Sequence, residues 1–345
     1  MNIYEKDILS QGKDMQKALK SYRLEDYPKI LAKLPLTNFK KIVFTGMGSS
    51  FFACNNAVTM LRRSGFCAYS VTASQLLHYE NDSISADTLL VMVSQSGRSG
   101  EIVELCGKLK GRCFVLGLTN YADSPLALAS DLVLNLNVES EQAVSTRTYL
   151  APLMLLYITA KVFIGAWKEE SYIGIEDTIN ALGESLETFN ANSDKIEAFL
   201  GVPPYISLIA RGYSLSTAEA GALFIKEVAK YPSIAFDSAQ FRHGPFEMLG
   251  KDFACFIFAP SDHGYDMQMR LVNDIADRGG RVVLVTDSAA ASRDNVMVIK
   301  QRYPVPELLD MINVTPLQAF ADYAAKRKGL DVGVFIHSSK ITNLQ

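Results

Sequence analysis

A strand-forming run that ends in a glycine turn and leads into a helical pattern occurs twice in this chain, and that repetition limits the folds open to it. Lys41-Ile42-Val43-Phe44-Thr45 closes at Gly46-Met47-Gly48-Ser49-Ser50, and Ile206-Ser207-Leu208-Ile209-Ala210 closes at Arg211-Gly212-Tyr213-Ser214. Gly48 and Gly212 stand 164 residues apart at matching points of the two stretches, which looks like an internal duplication.

The same grammar continues on either side. In the first half, residues 89–93, 113–118 and 132–136 read as further strands. The first of these closes at Ser94-Gln95-Ser96-Gly97 and leads into the helical Gly100-Glu101-Ile102-Val103-Glu104-Leu105. In the second half, residues 233–236, 253–258, 281–286 and 296–299 read as strands, and 218–230 and 267–277 as helices. Apolar strands alternating with helices of ~10–15 residues specify βαβ units and a parallel sheet covered on both faces. The expected class is therefore α/β: two tandem domains, each a mainly parallel sheet flanked by helices in a flavodoxin-like three-layer sandwich. A polar, helix-compatible leader takes 1–34, the first domain 35–190 and the second 191–345. The boundary is placed where the long helical stretch from about Thr148 meets its first turn cluster, Asn190-Ala191-Asn192-Ser193.

Composition narrows the function. The 345 residues are 48% hydrophobic and 21% charged, with 34 Lys and Arg against 37 Asp and Glu, enough for two domains with their own cores. A dispersed net charge of −3 offers no basic stripe for nucleic acid or anionic lipid, so an anionic ligand must be met by a local site. The five cysteines, Cys54, Cys67, Cys106, Cys113 and Cys255, show neither Cys-x-x-Cys nor Cys/His spacing and read as reduced core thiols of a cytoplasmic protein. Met1-Asn2-Ile3-Tyr4-Glu5-Lys6-Asp7 lacks the apolar core and cleavage site of a secretory signal. The most apolar window, 150–167, contains Pro152 and Lys161 and falls short of the ~20 apolar residues that span a bilayer, so it reads as a buried helix and no membrane partner is expected. With four histidines and no ligand pair among them, no metal and no cofactor are expected.

In an open parallel sheet, ligands bind beyond the carboxyl ends of the strands. Three polar clusters fall there. Gly46-Met47-Gly48-Ser49-Ser50 places glycine where backbone must approach a ligand and hydroxyls where a helix begins, an arrangement that favours an anion. Ser94-Gln95-Ser96-Gly97-Arg98-Ser99 brings three hydroxyls and an amide to another strand end, and Val144-Ser145-Thr146-Arg147-Thr148 opens a helix. Serine and threonine are also good helix caps, but three clusters at one edge favour a site. A dinucleotide fold is the other reading of Gly46-Met47-Gly48. Against it, Phe51 stands where a third glycine would be, and no acidic residue ends the following strand, Ala68-Tyr69-Ser70-Val71.

In the second half the helix at 218–230 carries Glu219, Lys226 and Glu227. Adjacent Lys226 and Glu227 point roughly 100° apart, so one of them leaves the solvent stripe. Downstream, Gln240-Phe241-Arg242-His243-Gly244-Pro245-Phe246-Glu247 holds a histidine between an aromatic and a Gly-Pro turn, which suits either a structural or a catalytic role. His78, His263 and His337 read as surface or structural residues.

At these residues the sequence resembles the sugar isomerase (SIS) domain family, in the double-SIS arrangement of the isomerase half of glucosamine-6-phosphate synthase and related phosphosugar enzymes. The resemblance covers nearly the whole chain after the leader. Gly48-Ser49-Ser50, Ser94-Gln95-Ser96-Gly97 and Val144-Ser145-Thr146 look like the phosphate-binding motifs. Glu219-Ala220-Gly221-Ala222-Leu223-Phe224-Ile225-Lys226-Glu227 and Phe241-Arg242-His243-Gly244-Pro245 look like the catalytic ones, and Lys328-Gly329-Leu330-Asp331 with Lys340 resembles the family's C-terminal loop. The resemblance implies that Ser49, Ser50, Ser94, Gln95, Ser96 and Ser99 bind a sugar phosphate, with Gly48, Arg98, Val144 and Ser145 as further contacts. It implies that Glu227 moves a proton between C1 and C2 and that Lys340 meets the open-chain carbonyl. It also implies that His243 opens the ring from the neighbouring subunit of a homodimer.

Three departures from the family pattern shape the expected activity. The chain enters the SIS unit directly after its leader, without the synthase's glutamine-cleaving domain, so glutamine-dependent synthesis is not expected. Phe224 stands where the synthase has a lysine that helps shuttle protons between sugar oxygens; its loss harms plain isomerisation more than C–N cleavage. Arg98 replaces an acidic residue and reshapes the phosphate loop or recruits a substrate carboxylate. The leading expectation is a deaminase or deglycase of an amino-sugar or fructosamine 6-phosphate. An aldose–ketose phosphosugar isomerase and a non-catalytic sugar-phosphate regulator stand as alternatives.

Overall fold

Short apolar runs that cannot face water on either side become strands, and the computed structural model, which describes residues 1–141, 143–337 and 339–340, places them in two sheets. The first contains β1 (Lys41–Gly46), β2 (Ala68–Thr72), β3 (Thr88–Val93), β4 (Phe114–Thr119) and β5 (Leu132–Asn135) in the order β2-β1-β3-β4-β5. The second contains β6 (Ile206–Ala210), β7 (Ser233–Asp237), β8 (Ala254–Phe258), β9 (Arg281–Thr286) and β10 (Val296–Lys300) in the order β10-β9-β8-β6-β7. Read from the first strand of each, the two orders are the same, and every pairing is parallel. The duplication and the α/β class read from the sequence are thus present in the structure. Both sheets have the 2-1-3-4-5 order of doubly wound folds. Burial follows position: β3, β6 and β8 are buried at every residue, whereas the edge strands β5 and β7 are largely half-buried.

The chain divides into two compact units. The first comprises residues 13–141 and 145–176 with the tail from Phe335; the second comprises 1–12, Ala143-Val144 and 177–334. In the first unit, Val43, Leu90, Met92, Ile102, Leu105 and Val115 form one side of the core between sheet and helices. Part of the leader helix Ile3–Leu24 belongs to this unit, where fully buried Tyr22 donates to the Leu136 carbonyl at 2.5 Å. In the second unit, Ile209, Phe253, Cys255, Ile257, Leu271 and Leu284 pack on one face of the sheet. The helix Ser214–Ala229 lies so close to the helix Asp310–Arg327 that a Cβ on Gly221 would stand 2.1 Å from Leu317 Cδ1.

Two sequence readings change. The stretch after Thr148 is three helices, Arg147–Phe163, Glu170–Glu187 and Phe189–Leu200, with a break at Gly165, whose φ of +68° suits glycine. Asn190-Ala191-Asn192-Ser193, read as a turn, lies inside the last of them. Its periodic apolar partners Phe189, Ile196 and Leu200 are buried, and that burial overrides the weak helix propensity of the cluster. Of the cysteines, Cys54, Cys106, Cys113 and Cys255 are buried free thiols, but Cys67 is exposed at the entry to edge strand β2. Among the described residues no helix is long and apolar enough to cross a membrane, and no group of His, Cys, Asp and Glu is arranged to hold a metal ion.

Candidate active site

The first unit's crevice is fixed by strand register. Gly46, the last residue of β1, pairs with Val93, the last of β3, so the loops that follow leave the sheet side by side. Because β1 has β2 on one side and β3 on the other, the helices that follow them diverge, which is where such sheets open a ligand crevice. A Cβ on Gly46 would lie 2.8 Å from the Val93 carbonyl oxygen, so only glycine lets the loops approach this closely. Gly48 turns the chain at a φ of +53°, and Gly212 does the same at +58° in the second unit.

Ser49 and Ser50 are half-buried in the helix Gly48–Phe52, while Ser94 and Ser96 are buried at the end of β3. Ser94 Oγ accepts from the Gly97 N–H at 3.1 Å, and Ser96 Oγ accepts from the Arg98 N–H at 3.2 Å. Those bonds set the loop's shape and leave each hydroxyl hydrogen available to an acceptor. The Gln95 carbonyl is held by Thr119 Oγ1 at 3.2 Å and Asn120 N–H at 3.0 Å, and its side chain donates to Ser140 Oγ at 3.3 Å. Ser99 precedes the helix Gly100–Leu109 and Thr146 precedes Arg147–Phe163, and neither side chain caps its helix. The hydroxyls are not consumed by capping. Arg98 pairs with exposed Asp123 at 3.0 Å and lies 5.9 Å from the centre of the Tyr121 ring, a solvent-exposed pairing that a ligand carboxylate or phosphate can exchange at little cost.

The third cluster reveals a residue that the sequence reading missed. Glu141 has a buried carboxylate whose Oε1 accepts from the Thr146 N–H at 2.8 Å and from the Thr148 hydroxyl. Lys340 comes to it from the tail: its Nζ donates to the Glu141 carbonyl oxygen at 2.7 Å and stands 3.5 Å from Oε1. Glu141 Oε2 and Thr146 Oγ1 are buried without a hydrogen-bond partner among the described residues. Ser145 is half-buried beside them, whereas Val144 is buried in the second unit.

Glu227 and His243 belong to the second unit. On the helix Ser214–Ala229, Lys226 is exposed, Glu227 is half-buried and Phe224 is fully buried, in keeping with the diverging directions of adjacent helical residues. The helix ends at Lys230, a non-glycine residue in left-handed conformation, whose Nζ donates to the Glu227 carbonyl at 2.6 Å and the Val334 carbonyl at 2.5 Å. Burial lowers the Lys230 pKa, partly opposed by the charge of Glu227. Lys328 Nζ completes the cap on the Ala229 and Lys230 carbonyls at 3.2 and 2.6 Å. His243 is exposed in the turn before Gly244-Pro245, its N–H bonded to the Gln240 carbonyl at 2.9 Å. His78, His263 and His337 are also exposed.

The structure therefore gathers Gly48, Ser49, Ser50, Ser94, Gln95, Ser96, Arg98 and Ser99 at one sheet edge and places Ser145, Glu141 and Lys340 in the same unit. The chain is similar to several known proteins. It is 27% identical over 94% of its length to the glutamine–fructose-6-phosphate aminotransferase (isomerizing) of Pyrococcus horikoshii, of which it spans about half, 54%. Its fold matches the C-terminal domain of glucosamine-fructose-6-phosphate aminotransferase from Francisella tularensis with a TM-score of 0.84 at 21% identity, covering 96% of this chain and 98% of that one. It matches the glucosamine-6-phosphate deaminase of Thermotoga maritima with a TM-score of 0.81 at 19% identity, covering 99% of both chains. The sequence profile of the SIS domain matches residues 35–162 and 203–325, one segment for each sheet, and the chain belongs to the SIS domain family.

Proposed function

We propose that the chain is a phosphosugar enzyme that releases an amine, a deaminase or deglycase acting on an amino-sugar or fructosamine 6-phosphate in its open-chain form. The observation that carries this reading is the Gly46–Val93 pairing, which sets two serine loops with unspent hydroxyls at one crevice. Neutral donors hold a phosphate without the fixed charge that would slow its release.

In this reading Glu227 takes a proton from one of the carbons C1 and C2 and returns it to the other. When one of those carbons carries the nitrogen, that transfer, together with passage of a nitrogen proton to the oxygen on the other carbon, turns the amine into an imine. Water then adds, the amine leaves, and a carbonyl remains. No proton need pass between two sugar oxygens, which agrees with the buried phenyl ring of Phe224 where the family pattern has a lysine. Lys340 meets the open-chain carbonyl. His243, exposed on its own chain, suits a ring-opening role at a site completed by a second copy. Aldose–ketose isomerisation is the second reading, because it uses the same carboxylate and passes through an enediol where the amine reaction passes through an enaminol. Glu227→Gln tests both enzymatic readings: turnover is lost while phosphosugar binding, measured by calorimetry, is kept. Normal turnover in that variant overturns the assignment.

A further inference from the structure

Glu141 is a carboxylate taken out of water with one oxygen satisfied and the other unpartnered among the described residues, an expensive arrangement for a surface loop to adopt. Among the described residues its one ion-pair partner is Lys340, held by both the backbone carbonyl and the carboxylate of Glu141. The Thr146 N–H and the Thr148 hydroxyl, at the start of the rigid helix Arg147–Phe163, fix Oε1 from the other side.

We infer that Glu141 is the positioning residue of Lys340, the counter-ion that docks its nitrogen for reaction with a sugar carbonyl. The second clause rests on the function proposed above; the docking itself does not. The charge balance explains why a carboxylate suits this place. A lysine ammonium and a carbonyl compound give an iminium and one water, the water carrying off the carbonyl oxygen and two of the nitrogen's protons. One positive charge stands on the nitrogen before and after, so a single fixed carboxylate serves both states.

The test compares the wild-type protein with Glu141→Gln, which keeps the shape and removes the charge. Acetic anhydride labelling, read by mass at Lys340 against exposed Lys226 in the same sample, needs no substrate. Loss of the ion pair, with the bond to the backbone carbonyl kept, is expected to speed Lys340 labelling by about tenfold. Glu141→Asp, which keeps the carboxylate, should restore much of the slow rate. An unchanged Lys340 rate in Glu141→Gln overturns the inference. Should that variant fail to fold, Thr148→Val, which frees Oε1 from one of its two anchors, decides in the same way. Borohydride trapping with glucosamine 6-phosphate then addresses the chemistry. A Lys340 adduct in the wild type that falls about tenfold in Glu141→Gln supports the full role. An adduct that does not fall overturns the reactive half of the inference. Fast labelling in the variant with no adduct in the wild type, while turnover continues, leaves the docking standing and refutes the Lys340 chemistry of the proposed function.

Discussion

Asp287 takes both donors of Ser261: its Oδ1 lies 2.7 Å from the Ser261 nitrogen and its Oδ2 lies 2.5 Å from the Ser261 hydroxyl. Ser261 follows β8 as Ser96 follows β3, and the strands occupy matching places in the two sheets. In the second unit an internal carboxylate thus takes the donors of the loop that matches the first unit's serine loop, so duplication of the fold does not carry the proposed site with it.

One phosphosugar should therefore bind per chain. Calorimetric titration with fructose 6-phosphate or glucosamine 6-phosphate is expected to give one equivalent, and two equivalent sites would contradict the division of labour between the loops.

Ser96→Ala removes a hydroxyl from the buried loop after β3 and, in the proposed site, one hydrogen bond to a charged phosphate. Such a bond is worth about 1.5–3 kcal/mol, so the KM should rise roughly ten- to a hundredfold with a smaller change in kcat. A drop in kcat at unchanged KM would move Ser96 from binding to chemistry. Steady-state kinetics with the phosphosugar separates the two.

Gly221→Ala tests the packing that carries Glu227. The added Cβ would meet Leu317 at 2.1 Å and Leu208 at 2.9 Å, both within the core of the second unit. Overpacking of this kind costs about 1–3 kcal/mol, and the melting midpoint should fall accordingly. An unchanged midpoint would mean that the two helices are free to separate.

Thiol chemistry provides a pH prediction. Burial pushes the Cys106 and Cys113 thiols up to about 11, the latter helped by the charge of Asp131, and raises Cys54 and Cys255 as well. Exposed Cys67 should react first with a thiol reagent at pH 8, and the other four only after unfolding. Since the folded state holds these protons more tightly than the unfolded chain, their contribution to stability is complete below pH 9 and declines as pH rises toward 11. Denaturant midpoints that stay level across that window would contradict the burial of these thiols.

The strands were legible because their signal is local: β1, β3 and β6 are runs of apolar residues closed by glycine or polar turns, and the structure ends them within a residue of that punctuation. The serine loops were legible for the same reason, as the register of a parallel sheet carries loop position forward from strand position. Glu141 was not. It sits in Glu139-Ser140-Glu141-Gln142, a polar run that reads as a solvated loop, and the lysine that pairs with it lies 199 residues away. The helix over Asn190-Ala191-Asn192-Ser193 was hidden by composition that favours turns, and only the buried face of Phe189, Ile196 and Leu200 decides it. Cys67 reads as a core residue because its neighbours Phe66 and Ala68 are apolar, although the strand it precedes lies at a sheet edge. Gln142, Ser338 and 341–345, which the expected domains include, lie outside the described residues.

The most direct test of the central claim is NMR of the protein in D2O with glucosamine 6-phosphate and, in parallel, a fructosyl-amino acid 6-phosphate, following deuterium at C1 and C2 together with free amine. The expected result is amine release from one of the two, accompanied by deuterium uptake at the sugar carbons and absent in Glu227→Gln. Carbon exchange without amine release would make the protein an isomerase, and binding without either would contradict the proposed chemistry.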